Sequence, residues 1–259
     1  MTALPLTGRR VLVTRAAHQA GKLSEGLRAL GAEPVEVPVQ EIRPPESYDA
    51  LDRALRSLAS YDWLILTSAN TVRALSERVA TLGVRMDAAT DLKVAAVGDA
   101  TASAARNAGL PVAIVPDSYV AESLVESLKG QATGKKILLA RAAIARDIIP
   151  DALREAGATV DAVDAYRNVM PEAAPALLRA ALAQKIDAAT FTSSSSVTHL
   201  ADAARQAGIV FPFAGAAAIS IGPITSQTLR EYGWEPAAEA NPSDIAGLVA
   251  ALRQVFSND

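Results

Sequence analysis

Apolar residues along the chain recur in two rhythms. Arg9–Thr14, Asp62–Thr67 (DWLILT), Lys93–Val97, Pro111–Pro116, Asp187–Thr192 (DAATFT) and Ala218–Ile221 are short runs rich in aliphatic residues. Such runs mark strands buried on both faces. Between them lie helical patterns. His18–Leu30 is closed by Gly31, Ser47–Ala59 has Ser47 as a candidate N-cap, one helix runs from about Asn70 to Leu82, and another spans Val120–Lys129. Two segments, Glu33–Ile42 and Thr159–Val169, instead alternate apolar and polar residues, the period of a half-exposed strand. Pro34 and Pro38 restrict the first of these to an edge strand or a ribbon.

The order of elements repeats. Arg9–Pro44 matches Lys135–Met170, with Arg15 under Arg141, Leu27-Arg28 under Leu153-Arg154 and Gly31-Ala32 under Gly157-Ala158. Asp62–Thr67 matches Asp187–Thr192, and Val97-Gly98 with Thr101 matches Ile221-Gly222 with Thr225. A repeat of this length is a duplicated domain rather than a solenoid unit. Strands alternating with helices predict parallel sheets covered on both faces. The repeat does not by itself fix which pieces pack together, and one reading makes the two alternating strands the crossings between lobes. Hence one lobe is expected from residues 1–36 and 171–259, a second from residues 42–165, and linker strands at about 34–42 and 159–169.

Composition narrows the chemistry. Half of the 259 residues are hydrophobic and only 4% are aromatic, so the core is expected to be aliphatic. There is no Cys, which excludes disulfides and thiolate metal sites, and His18 and His199 are too few for a histidine cluster. Net charge is −3, against nucleic acid as a bulk partner. No apolar run is long enough for a membrane span or a secretory leader, so a cytoplasmic protein is expected. Neither GxGxxG nor GxxxxGK[ST] occurs, so a nucleotide cofactor has no support. The serine run Ser193–Ser196 lacks the flanking glycines of a nucleophile elbow. His199 reads as a helix-surface residue, and Asp62 and Asp187 read as solvated strand starts.

The candidate site residues cluster at predicted strand ends. Thr67, Ser68, Thr101, Thr192, Ser193, Ser194 and Thr225 sit where helices begin, and free N–H groups there favour anions. Each hydroxyl can also be read as an N-cap alone. Arg15, Arg141 and Arg146 offer planar donor forks suited to carboxylates, or else bridge acids on the surface. Tyr166 closes an alternating strand and could donate a hydrogen bond or, more weakly, a proton. On these features alone, a two-lobed binding or sensor protein for an anionic metabolite fits as well as an enzyme.

The motifs in order, Val-Leu-Val-Thr-Arg15, Thr67-Ser68-Ala69-Asn70, Gly98-x-x-Thr101, Arg141 with Arg146, Ala165-Tyr166-Arg167, Phe191-Thr192-Ser193 and Gly222-Pro223-x-Thr225, resemble the uroporphyrinogen-III synthase family over nearly the whole chain. Ile224 departs from a position where that family often has a hydroxyl. The resemblance implies two α/β lobes of Rossmann or flavodoxin-like type joined by a two-stranded β-ribbon, with the active site in the cleft between them. It implies a monomeric lyase of haem and other tetrapyrrole biosynthesis. Hydroxymethylbilane, a linear tetrapyrrole with eight carboxylates, loses water and closes with its last ring inverted, without cofactor or metal. It assigns substrate binding to the arginines and hydroxyls named above and makes Tyr166 the candidate acid.

Overall fold

A computed structural model describes residues 4–86, 90–116, 121–144 and 147–257. The strands are β1 (Arg10–Val13), β2 (Glu33–Glu36), β3 (Glu41–Arg43), β4 (Trp63–Leu66), β5 (Lys93–Ala96), β6 (Val112–Ile114), β7 (Lys136–Ala142), β8 (Thr159–Val169), β9 (Ala188–Phe191), β10 (Ala217–Ser220) and β11 (Pro236–Glu239). The helices are α1 (Ala17–Ala29), α2 (Asp49–Arg56), α3 (Ala69–Leu82), α4 (Asp99–Asn107), α5 (Ala121–Ala132), α6 (Ile148–Glu155), α7 (Ala174–Ala181), α8 (Ser194–Ala207), α9 (Pro223–Glu231) and α10 (Ile245–Ser257). The chain forms two compact units: Met1–Glu41 with Val169–Asp259, and Ile42–Asn168. It therefore passes from one to the other twice, after Glu41 and after Asn168.

Unit 1 holds a sheet of order β11-β10-β9-β1-β2, and unit 2 a sheet of order β3-β8-β7-β4-β5-β6. The ladders β1–β2, β1–β9, β9–β10, β10–β11, β7–β8, β4–β7, β4–β5 and β5–β6 are all parallel. Registers confirm that the two sheets are copies. Arg10 pairs with Glu33 as Lys136 pairs with Thr159, and Val11 pairs with Ala188 as Ile137 pairs with Trp63. β2-β1-β9-β10-β11 thus repeats as β8-β7-β4-β5-β6.

Alternation along each strand feeds two cores per unit. In unit 2, Leu64, Leu66, Leu138 and Ala140 pack towards α2, α3 and α4, with Leu51, Leu55, Val72, Leu75 and Ala105. Trp63, Ile65, Ile137 and Leu139 face α5 and α6, with Leu124, Leu128 and Leu153. In unit 1, Leu12, Ala189 and Phe191 pack under α7, α8 and α9, and Val11, Val13 and Ala188 pack under α1 and α10. Burial on both faces accounts for the continuous apolar runs.

Three readings are corrected. Glu33–Ile42 is two strands rather than one: Glu33–Glu36 pairs with β1, and the chain resumes strand geometry only at Glu41. The intervening Val37 and Val39 are buried in the core of unit 1. The helix expected over Ser47–Ala59 begins at Asp49 and ends at Arg56, followed by a 3₁₀ turn, Leu58–Ser60. Ser47 Oγ accepts the Asp49 N–H at 3.0 Å, one residue ahead of the capping position. Asp62 and Asp187 are more than solvated strand starts. Asp62 Oδ2 accepts the Lys136 N–H at 2.8 Å, and Asp187 Oδ2 accepts the Arg10 N–H at 2.9 Å. Each carboxylate ties its strand to the neighbouring one, at equivalent places in the two copies.

Candidate active site

In both sheets the helices change face at the central ladder. In unit 2, β7 leads to α6 on one face and β4 to α3 on the other, so the carboxyl ends of β4 and β7 open a crevice. In unit 1 the same divergence occurs at β1 and β9. Ligands of open α/β sheets bind at such a switch point. The sequence places Thr67, Ser68 and Arg141 at one crevice, and Arg15, Thr192 and Ser193 at the other.

Tyr166 reaches the unit 2 crevice through a local irregularity. Val163 and Ala165 face α2–α4, whereas Val160 and Ala162 face α5 and α6. Strict alternation would send Tyr166 to the α5–α6 face. The register with β7 shifts between Arg141, opposite Asp164, and Ala142, opposite Tyr166. That bulge keeps Tyr166 on the same face as Ala165. Tyr166 is 8% exposed, and its hydroxyl lies 3.1 Å from Ser68 Oγ. Burial pushes the phenol pKa up, opposed by hydrogen bonds from Ser68, Asn70 and Thr71.

Ser68 is also the N-cap of α3. Its extended backbone (φ −159°, ψ 158°) lets Oγ accept the Thr71 N–H at 3.1 Å. Thr71 Oγ1 lies 3.0 Å away. Asn70 and Thr71, absent from the candidates named by sequence, are therefore part of the tyrosine's surroundings. Their place in the first turn after Thr67-Ser68 was the available signal. Arg141 is the penultimate residue of β7, and its Nη1 donates to Asp147 Oδ1 at 2.7 Å. Arg146 lies outside the described residues.

Unit 1 repeats the arrangement with other partners. Ser193 caps α8 in a capping box with Ser196, and its hydroxyl accepts from Gln40 Nε2 at 2.7 Å. Ser194 Oγ accepts from Thr228 Oγ1 at 2.8 Å. His199 is not a free surface residue: Nδ1 lies 2.8 Å from the Val39 carbonyl oxygen. Thr101 and Thr225 are each 4% exposed. The N-caps of their helices are Gly98 and Gly222, so neither threonine caps a helix. Arg15 follows β1. Burial lowers its pKa, Nη2 donates to Gln19 Oε1 at 3.5 Å, and its buried Nε has no hydrogen-bond partner among the described residues. Nothing in the sequence pointed to Gln40.

Both crevices thus combine a helix N-terminus with an arginine, a donor set for carboxylates. No group of His, Cys, Asp and Glu among the described residues could hold a metal ion. No helix among them is long and apolar enough to cross a membrane.

The model of a family described as uroporphyrinogen-III synthase HemD matches residues 21–250. A uroporphyrinogen-III synthase of Synechococcus elongatus is 36% identical over 261 residues, covering 98% of either chain. Among solved structures, a mutant uroporphyrinogen III synthase of Thermus thermophilus aligns with a TM-score of 0.73 at 22% identity, over 97% of this chain and 100% of that one. The Helicobacter pylori enzyme aligns with a TM-score of 0.64 at 18% identity, over 95% and 99%. These two likenesses concern the fold.

Proposed function

The chain belongs to the uroporphyrinogen-III synthase family, and from that premise we propose how its residues serve the reaction. It is a cyclising lyase of porphyrin biosynthesis that acts on a small-molecule tetrapyrrole. In the proposed reading, the substrate is hydroxymethylbilane, and its carboxylates bind at the carboxyl ends of the parallel strands. Thr67, Ser68, Thr101 and Arg141 serve in unit 2, and Arg15, Thr192, Ser193, Ser194 and Thr225 in unit 1. Backbone N–H groups at the starts of α3 and α8 complete the donor set. The observation that carries this reading is the repetition of an arginine and a serine-capped helix at the switch point of two sheets with equivalent strand registers.

The chemistry asks little of an acid. The hydroxyl of the hydroxymethyl group leaves as hydroxide, which takes up a proton to become water, and the adjoining pyrrole nitrogen supplies electrons to the methylene cation left behind. The last ring attacks this cation through its substituted carbon, giving a spiro intermediate. The bond from that carbon to its original methylene then breaks, that methylene rejoins the ring at its unsubstituted carbon, and this carbon loses a proton, so the ring is inverted and the net loss is one water. Holding the chain so that this carbon is nearest the cation is an effect of proximity and orientation. Tyr166, a buried neutral phenol, orients a substrate group and assists the departing oxygen by a hydrogen bond. The enzyme works as a cytoplasmic monomer without cofactor.

The test is incubation with freshly prepared hydroxymethylbilane, followed by separation of the uroporphyrin isomers. The inverted isomer is expected from wild type. Arg141→Ala is expected to raise KM about tenfold or more, for loss of a charge-assisted hydrogen bond. Only the uninverted isomer, formed at the rate of buffer alone, would overturn the reading.

A further inference from the structure

A cavity of about 510 Å³ opens in unit 2 beside α2 and the first half of β8. Arg53, Ser57, Tyr61, Lys136, Arg154 and Asp161 supply its polar lining. It lies at the amino ends of the strands. β7 has seven residues, so the carboxyl-end crevice is roughly 20 Å away.

Three cations line the cavity beside one lining carboxylate, Asp161, and one of them, Arg154, is also paired with Asp151. Asp161 Oδ2 accepts from the Tyr61 hydroxyl at 2.7 Å. Burial, with the neighbouring Asp161, pushes the Tyr61 phenol up, so it remains a donor. Lys136 Nζ lies 4.3 Å from the centre of the Tyr61 ring and donates to Ser60 Oγ at 3.1 Å. Arg154 donates to the Val160 carbonyl at 3.1 Å and to Asp151 at 3.2 Å. Arg53 is exposed and forms no ion pair among the described residues.

The duplication supplies an internal control. By the registers above, Lys136 and Arg154 correspond to Arg10 and Arg28 of unit 1, whereas Arg53, Ser57, Tyr61 and Asp161 correspond to Leu178, Leu182, Ile186 and Val35. Those four pack into the apolar core under α7. In unit 1 the cation Arg10 is held by Glu33 and by the Ala181 and Lys185 carbonyls, and aliphatic side chains fill the rest of the place. In unit 2 Arg53, Ser57, Tyr61 and Asp161 replace those aliphatic residues, so this part of the polar lining is not a demand of the architecture. Gathering cations around a cavity is unfavourable without a counter-charge. The volume lies within the usual range for small-molecule sites.

From these observations we propose that the cavity binds a small organic anion carrying two or more negative charges, apart from the cyclisation site. Arg53 and Lys136 meet the charges, and Arg154 borders them at the β8 edge.

Calorimetric titration of the full chain with citrate and with pyrophosphate, each against sodium chloride of matched ionic strength, tests this. One anion per chain is expected to bind. Arg141→Ala should leave that binding unchanged, while Arg53→Ala and Lys136→Ala should each weaken it about tenfold or more. Preference for citrate assigns a carboxylate ligand, and preference for pyrophosphate a phosphate ligand. Arg53 is exposed, so its variant keeps the fold, which circular dichroism checks. Heats no larger than the salt control, or binding that survives Arg53→Ala and disappears in Arg141→Ala, would overturn the proposal.

Discussion

The Tyr166 hydroxyl lies 3.1 Å from the hydroxyl of Ser68, 98 residues earlier in the chain. Ser68 simultaneously caps α3 through the Thr71 N–H. The candidate acid is therefore bonded to the residue that fixes a helix N-terminus at the switch point. A change in either residue should be felt by the other.

Tyr166→Phe keeps the ring in its core and removes the hydroxyl, so the fold should survive. Turnover should fall about tenfold, equivalent to about 1.4 kcal/mol. A general acid would cost about 10²–10⁴. The smaller effect is expected because burial makes this phenol a weaker acid than an exposed tyrosine. Single-turnover kinetics with the isomer ratio decide. A folded but inactive variant would restore the acid role.

Ser68→Ala and Ser193→Ala remove equivalent caps. Each should cost about 1 kcal/mol, lowering Tm by about 2–4 °C. Only Ser68→Ala should raise the Tyr166 pKa further, because its hydrogen bond holds that pKa down. NMR titration of labelled tyrosine, with Tyr166→Phe as the assignment, reads this. Equal displacement of the Tyr166 signal by both variants would contradict the coupling.

Arg15 is half-buried, and its side-chain hydrogen bond among the described residues is a long one, from Nη2 to Gln19 Oε1 at 3.5 Å. Arg15→Met removes a dehydrated charge, so stability without substrate should be unchanged or rise by up to about 1 kcal/mol. KM should still increase about tenfold or more if the guanidinium meets a carboxylate. A large loss of Tm with unchanged KM would make Arg15 structural.

Gly31 and Gly157 end α1 and α6 at φ +90° and +88°. A Cβ at Gly31 would lie 2.9 Å from Leu4 Cβ, whereas the nearest atom at Gly157 is 3.4 Å away. Gly157→Ala should cost about 1–2 kcal/mol from the left-handed backbone alone, and Gly31→Ala more. Denaturant midpoints of the pair measure the difference, and equal losses would refute it.

Asp52 accepts from Arg78 Nε and Nη2, both at 2.6 Å, and this hydrogen bonding is the main cause of its lowered pKa. A depressed carboxylate pKa stabilises the fold above the unfolded value, near 3.9, and the stabilisation disappears as pH falls through the folded value. Asp52→Asn should therefore melt below wild type at neutral pH. The gap should close in acid, as thermal melts across pH would record. A gap independent of pH would exclude the ion pair as its source.

The apolar runs and their repetition were enough to specify parallel α/β sheets and a duplicated order of elements. Burial on both faces is written locally, in runs such as Trp63–Leu66 and Ala188–Phe191. The arginines and hydroxyls were legible as strand-end residues for the same reason, since Arg15 and Arg141, or Ser68 and Ser193, occupy equivalent places in the repeat. Their partners were not. Gln40 meets Ser193 across 153 residues, and His199 meets Val39 across 160. The division of Glu33–Ile42 into two strands also depends on which neighbours supply its hydrogen bonds. Most of all, local alternation points Tyr166 to the wrong face of its sheet. Only the register shift against β7 brings it to Ser68, because register is fixed by pairing with a distant strand and carries no mark in the residues of β8 itself.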